Sequence, residues 1–593
     1  MALNYGTSPQ AWELQYRHLW STNNPPTPME KATIWRDVAN ARYTIALLQN
    51  RLGLCRMLLA PIRRLPLETL GRIFELSVTD YRGIDKAGVV KLCLVCKAWW
   101  RAAQLTHSLW TDVSVDRPVP LDGVLNWLKR AGALPKTLRF STQDNCPNAP
   151  PVICEGHYLW WGESDDEADD DDAGSADEGV ANFESVEDDD ASPPQRCKLA
   201  EAQLLEYLTD EVPLDHLRIT PPSPMCIRGF LLSPEPRFTE AISWTTLRSL
   251  ELNMRFCHLW PESEHDPATS MFNHLPPSLL SLSIDLPRKE NLAEFDDAGT
   301  LIYIPASTLG RLISFKIRCD WDGPQIATLL QHCERLEDLT VEYLTCSNDR
   351  DGQEWTGEPD FPERYSLPPQ IRLPHLRTFV ADGIPASAAN TVLHFLSVPA
   401  LVSITVTVNA SDDAAGEEEY EDHPARDFLQ SLGLFSPHPP DAPTLHSLTI
   451  GEAWESLSFP LTPIAFMDIA LDLASLKRLV LHEVQYPEDP FLAMRLYMES
   501  QRVQLLPRLE YLEFDGVPSD TFPLESFFHF LQSRCNQHIS SWSGCSVVPR
   551  DSLQMVVLRL TGEDDVFRNA YYSSPLLPSI RKRGVSVELY LSY

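Results

Sequence analysis

Two places in this chain bring together residue types that do chemistry. Cys93-Leu94-Val95-Cys96 has the spacing of a metal or redox pair, in which two thiolates on one turn grip an ion or exchange electrons. His332 stands beside Cys333, the residue types of a base and a nucleophile. Neither develops further. No second cysteine pair or histidine cluster at ligand spacing accompanies the first, and its neighbours are apolar, so these thiols read as small buried hydrophobes. His332-Cys333 falls where a helical pattern meets a strand pattern, which places one side chain in a core and the other on a surface. The sequence has no phosphate-cradling glycine loop, dinucleotide fingerprint, nucleophile elbow or His-Glu-x-x-His helix. The chain is therefore expected to be non-catalytic, with no cofactor and no metal site.

A different kind of chemistry, recognition by apolar anchors, is written more plainly. Leu65-Pro66-Leu67-Glu68-Thr69-Leu70-Gly71-Arg72-Ile73-Phe74 sets a helix start with proline and repeats large apolar residues at helical spacing. Val95-Cys96-Lys97-Ala98-Trp99-Trp100-Arg101 and Leu109-Trp110 follow, with Trp99 and Trp110 bulky enough to close a small core. From Ile62 to about Val115 this pattern resembles an F-box, the motif that docks a protein onto the adaptor subunit of cullin-RING ubiquitin ligases. The resemblance implies that Leu65, Pro66, Leu67, Leu70, Ile73, Val95, Cys96, Lys97 and Trp99 form the adaptor-docking set or its direct support. Helix-in-groove docking of this type draws most of its energy from a few aliphatic or aromatic anchors. One departure from the family is the stretch Thr79 to Gly88, which lengthens the loop after the first helix.

Met29 to Ala60 reads as one helix, with Ala32, Trp35, Val38, Ala39, Tyr43, Ala46, Leu47 and Leu54 at three- and four-residue intervals and Pro61 ending it. Its expected role is to pack on its own domain; the alternative is a short coiled coil. The helix followed by Pro61-Ile62-Arg63-Arg64-Leu65-Pro66 also resembles the opening of many F-box proteins from mushroom-forming fungi.

Beyond the motif, a Leu-x-x-apolar-x-apolar unit recurs eleven times, from Leu214-Leu217-Ile219 to a degenerate copy at Met555-Leu558-Leu560. First-position spacings run from 24 to 46 with a mean of about 34. A strand unit on that period, with helical stretches such as Ile326-Ala327-Leu329-Leu330, Val392-Leu393-Phe395-Leu396 and Phe527-Phe528-Phe530-Leu531 between copies, resembles a degenerate leucine-rich repeat. Each unit buries one strand face and needs the next strand beside it to complete the core. The expected fold class is thus α/β: an N-terminal helical segment (1–60), a small helical F-box (61–116) and an irregular solenoid with a concave parallel sheet (117–593). Outward positions between the buried residues expose Arg218, Glu251, Lys316, Arg318, Glu342, Arg478, Tyr511 and Glu513 as the expected target-binding set.

Composition bounds the partners. The net charge of −34 is concentrated: fifteen acids and no Lys or Arg lie between Glu163 and Asp190, and seven acids between Asp412 and Asp422. Acidic insertions at 163–194 and 409–424 are expected to be disordered, and the body has no basic stripe for nucleic acid. The thirteen cysteines are scattered without a disulfide framework, no basic-apolar leader is seen, and no unbroken run of eighteen apolar residues occurs. Cytoplasm or nucleus is the expected location, with Arg581-Lys582-Arg583 read as a surface turn before a strand. The expected partners are the ligase adaptor subunit and an unidentified protein target, with no nucleic acid and no membrane. Outside such a complex a monomer is expected.

Overall fold

The computed structural model describes residues 9–22, 24–80, 83–115, 121–141, 213–221, 227–228, 231, 242–255, 260, 266–287, 302–320, 323–343, 371–385, 396–409, 445–452, 459–460, 463–486, 488–501, 504–540, 552–562 and 565–592. The acidic segment 163–194, and 409–424 apart from Asn409, lie outside them. Contacts group the chain into two units, Met1–Leu109 and Trp110–Tyr593.

The first unit is helical. An unexpected helix α1 (Pro9–Thr22) precedes the long helix α2 (Pro28–Leu59). The start of α2 is a capping box, because Thr27-Pro28-Met29-Glu30 places a threonine three residues before a glutamate. The Thr27 backbone N–H and Oγ1 donate to Glu30 Oε2 at 2.8 and 2.6 Å, and Glu30 N–H returns to Thr27 Oγ1 at 3.4 Å. These hydrogen bonds, with His18 beside them, hold the Glu30 carboxyl down at about 2. α1 lies against the first turns of α2, with the Tyr16 hydroxyl donating to Asp37 Oδ2 at 2.8 Å and His18 Nε2 2.8 Å from Glu30 Oε1.

Past those turns α2 stands bare. Asn40–Tyr43 and Ile45–Arg56 are all exposed, so the expectation that α2 packs on its own domain is corrected. No unbroken run of eighteen apolar residues occurs, but a looser average over this helix is high. Within Pro28–Arg64 an 18-residue window reaches a mean hydropathy of 1.2, enough by length and composition alone to cross a bilayer. Arg51 and Arg56 interrupt the apolar run without lowering its average below that level.

Three further helices complete this unit: α3 (Leu67–Val78), α4 (Lys86–Val95) and α5 (Lys97–Leu105). They bury Leu70, Phe74, Val78, Val89, Ala102 and Ala103 among themselves. The lengthened loop between α3 and α4 contains an antiparallel pair, Thr79↔Ile84 and Asp80↔Gly83, which draws its ends together.

The second unit is α/β and carries one sheet of fourteen strands in chain order, every neighbouring pair parallel. The strands are β1 (Asp112–Val115), β2 (Thr137–Ser141), β3 (His216–Thr220), β4 (Ser249–Asn253), β5 (Ser281–Asp285), β6 (Ser314–Cys319) and β7 (Asp338–Tyr343). They continue as β8 (Thr378–Pro385), β9 (Ser403–Asn409), β10 (Ser447–Glu452), β11 (Arg478–His482), β12 (Tyr511–Pro518), β13 (Met555–Thr561) and β14 (Ser586–Ser592). All eleven repeat copies become strands, β3 to β13. The remaining three, β1, β2 and β14, fall outside the repeat count because their leading leucine is absent or displaced. The expected helical region 61–116 thus extends too far: Asp112–Val115 pairs with Thr137–Phe140 and opens the sheet. Trp110 goes with it, meeting Trp127 edge to face at a centroid distance of 4.7 Å with the Arg130 guanidinium 4.6 Å over its ring.

Register explains the core. Leu138, Leu217, Leu250, Leu282, Phe315, Leu339 and Phe379 are successive partners across β2–β8, and the ladder continues through Ile404, Leu448, Leu479, Leu512, Val556 and Val587. All thirteen are buried. Because side chains alternate along a strand, a second buried row runs two residues on, through Ile219, Leu252, Ile284 and Ile317. The segments between strands supply the layer over this face, including α6 (Gly323–Leu330), α7 (Pro463–Asp472), α8 (Pro490–Gln501) and α9 (Leu524–Ser540). Two of the three expected helical segments lie there. In the third, Val392–Phe395 lie outside the described residues, and Leu396 instead pairs with Ile371 in a short parallel bridge. Near the C-terminal end Phe491 touches Phe514 and Phe527 at centroid distances of 5.8 and 4.9 Å, locking α8 and α9 onto β12.

Candidate docking surfaces

In the helical unit, Pro66 stands just before the first helical residue. It is the N-cap of α3, with ψ of 152°, and its carbonyl accepts the first helical bond from Leu70 N at 3.0 Å. Leu65 is extended, so the chain turns sharply into the helix. Leu65 and Leu67 are half-buried and Pro66 is exposed. Leu70 is fully buried, so it supports the surface and does not form it. Trp99, half-buried, packs against Phe74 at 4.9 Å and is likewise largely support.

The remaining residues of the set face solvent. Ile73 is 41% exposed and Val95 58%, with Cys96 and Lys97 also exposed. Leu76, one turn along from Ile73, is exposed, as are Val90 and Leu94, one turn apart on α4, and Trp100 on α5. The sequence reading passed over these four because it followed motif positions; the i, i+3 and i, i+4 spacings from Ile73 and from Val90 were the available signal. Cys96 is the extended junction between α4 and α5 and Cys93 is half-buried, so the expectation that both thiols are buried is corrected. Among the described residues no group of three or more His, Cys, Asp or Glu is placed to hold a metal ion. Cys333 is buried, its thiol pushed up to about 12 by desolvation, while His332 is exposed. A thiol held that high is not a nucleophile at neutral pH.

On the second unit, the sheet face opposite the core carries the other expected set, and register lines it up. Arg218 of β3 pairs with Glu251 of β4 at 3.3 Å. Lys316 of β6 reaches Glu342 of β7 at 2.5 Å, and Arg318 lies 3.9 Å from Glu342 and 3.7 Å from Asp285. Further along, Glu513 of β12 is almost fully buried and holds three neighbours. The Tyr511 hydroxyl donates to it at 2.8 Å, Arg478 Nη2 lies at 3.4 Å and Arg559 Nε at 3.3 Å. Both guanidiniums stay half exposed, Arg478 lying 4.4 Å over the Tyr511 ring and Arg559 5.7 Å over Tyr590. All eight expected residues therefore lie on one sheet face, in three groups: Arg218 with Glu251, Lys316 and Arg318 with Glu342, and Arg478 and Tyr511 with Glu513. Glu513 is an internal anchor and not a contact surface.

Asp112, paired with Arg139 at 2.7 Å, and Asp285, Arg559 and Tyr590 were missed. Asp285 occupies the outward position two residues past the last one the repeat unit specifies, and Arg559 lies between Leu558 and Leu560 of the degenerate last copy. Burial pushes the Asp285 carboxyl up to about 6 despite Arg318 beside it. Between the Glu342 and Glu513 groups, Thr378, Ser403, Thr405, Ser447 and Thr449 are small uncharged side chains, with Asp382, which accepts from the Thr407 hydroxyl, the charged group beside them. Arg581, in the basic triplet, is tied to the Val587 carbonyl at 3.1 Å.

No protein-family model and no curated protein matches the chain. Among solved structures, a Bacteroides fragilis protein from a structural genomics programme is similar over 61% of this chain and 68% of its own, with 10% identity and a TM-score of 0.25. A TLR13–ssRNA13 complex is similar over 66% of this chain and 59% of its own, with 12% identity and a TM-score of 0.18. Likeness at these scores carries no argument about this chain.

Proposed function

We propose that this chain is a substrate-recognition adaptor of an SCF-type cullin-RING ubiquitin ligase. The helical unit acts as an F-box that grips the adaptor subunit, and the parallel sheet acts as a leucine-rich-repeat-like solenoid whose outward face, read as concave, holds a target protein. The observation that carries this reading is that α3, α4 and α5 each leave large apolar residues in water beside the proline-set helix start at Leu65-Pro66. Large apolar side chains left exposed on a small helical unit suit a protein interaction site. The contribution is proximity: two binding sites on one chain hold a target lysine near a ligase that supplies the chemistry. The mixture of Arg, Glu and Tyr on the sheet face suits protein recognition, and it lacks the continuous basic stripe that phosphate backbones demand.

Co-purification of the full chain with the adaptor subunit tests the reading. Capture by the wild-type chain, lost when Leu65 and Pro66 are both replaced by alanine, is expected. Failure of the wild-type chain to capture the adaptor overturns it and leaves the alternative, an interaction scaffold of the same architecture that joins no ligase.

A further inference from the structure

Eight of the apolar residues of α2 fall into an unbroken three-four alternation, Ile34, Val38, Ala41, Ile45, Leu48, Leu52, Cys55 and Leu59, while others such as Trp35, Leu47 and Leu54 lie off it. That is the a and d seam of a coiled coil, continued without a polar residue. α1 shelters only its beginning, where Ile34 and Val38 are half-buried. From Ala41 to Cys55 every seam residue is exposed, Ile45 at 54% and Leu52 at 51%.

We propose that α2 pairs with α2 of a second copy of this chain as a parallel, in-register, two-stranded coiled coil over residues 38–59, in place of the expected monomer. The seam itself argues for this occupant. β-Branched Val38 and Ile45 at a with Leu48 at d favour two strands. In this register Asp37, at g, lies opposite Arg42 of the second copy, at e, an attractive pair. Arg51 meets Arg56 of the second copy, a like-charged contact that weakens the pair without blocking the seam. A bilayer is the poorer occupant, because the apolar window of the same helix would carry Arg51 and Arg56 into it. The proposal does not rest on the ligase reading.

Sedimentation equilibrium on the full chain at micromolar concentration tests it. The expected mass is twice 67.0 kDa. Ile45→Asp with Leu52→Asp is expected to raise the dissociation constant at least tenfold. Both positions are solvent-exposed in the single chain, so its fold does not depend on them. Leu54→Asp, equally exposed but off the seam, leaves the mass unchanged, and Arg51→Glu tightens the dimer at low salt. Parallel register brings Cys55 to Cys55 of the second copy, so mild oxidation yields a cross-linked dimer that Cys55→Ser abolishes. A dimer that never cross-links through Cys55 overturns the parallel register. A monomeric chain overturns the proposal, including one that sediments only with phosphatidylserine-containing vesicles.

Discussion

Gly71 lies against Thr106 with no room for a side chain: a Cβ on Gly71 would meet Thr106 Oγ1 at 2.0 Å. Thr106 closes α5, its Oγ1 donating to the Ala102 carbonyl at 2.8 Å, so this contact sets how closely α3 approaches the end of α5. Gly71→Ala is expected to cost about 1–3 kcal/mol through overpacking. Adding Thr106→Ala removes the clashing oxygen and should recover most of the loss. Equal melting temperatures for Gly71→Ala and the wild-type chain would show that the helices part freely there.

The helical unit separates support from surface, and substitutions should divide accordingly. Leu70→Ala is expected to lower stability by about 2–5 kcal/mol, as for other buried leucines. Ile73→Glu with Leu94→Glu should leave the thermal transition in place and weaken adaptor capture by tenfold or more, as loss of apolar anchors does. Calorimetry beside a pull-down reads both. If the charged pair binds the adaptor as the wild-type chain does, these helices are not the docking face.

Asp285 makes a pH-dependent contribution whose sign follows from its surroundings. Burial raises its carboxyl to about 6, above the value of about 4 it has in an unfolded chain. The folded state therefore holds the proton more tightly, and the group costs nothing below about pH 4. The cost grows from pH 4 to 6 and is complete above that. Asp285→Asn is expected to stabilise the chain at pH 7 by about 1–3 kcal/mol and to change little at pH 4. Urea midpoints for both chains at the two pH values measure this; an equal difference at each would refute it.

Arg534 is fully buried on α9, and its guanidinium donates to the Leu505 and Leu506 carbonyls at 2.6 and 2.7 Å. Leu506 has a φ of 48°, a left-handed backbone for a residue other than glycine. Arg534→Met should leave both carbonyls without these donors, at about 1–3 kcal/mol each. Faster amide exchange in residues 504–509 and a lower melting temperature are expected. Unchanged exchange would show that the loop is held by its apolar contacts alone.

Periodicity made most of the second unit legible. The repeat unit located β3 to β13 because each strand buries its apolar positions against the layer behind, whatever the length of the segment between copies. Its edges were harder to read. β1, β2 and β14 bury the same ladder with Val113, Leu138 and Val587, but without the leading leucine that made the other copies visible. On the sheet face, alternation alone placed all eight expected residues outward. Which of them anchor and which present themselves depended on neighbours brought together by register, as when Arg478 and Arg559 converge on Glu513 from strands on either side.

The helical unit divides the same way. Its sequence determined the helix starts, through Pro66 and through Thr27-x-x-Glu30, and the spacing of its apolar residues, because capping and helical period are local. It did not determine which apolar residues remain in water. Leu70 and Leu94 are the same residue type on neighbouring helices, yet one is buried and the other 79% exposed. Only the packing of α3, α4 and α5 on one another decides that. The same holds for α2, whose composition suits a packed helix and whose surroundings leave its seam open.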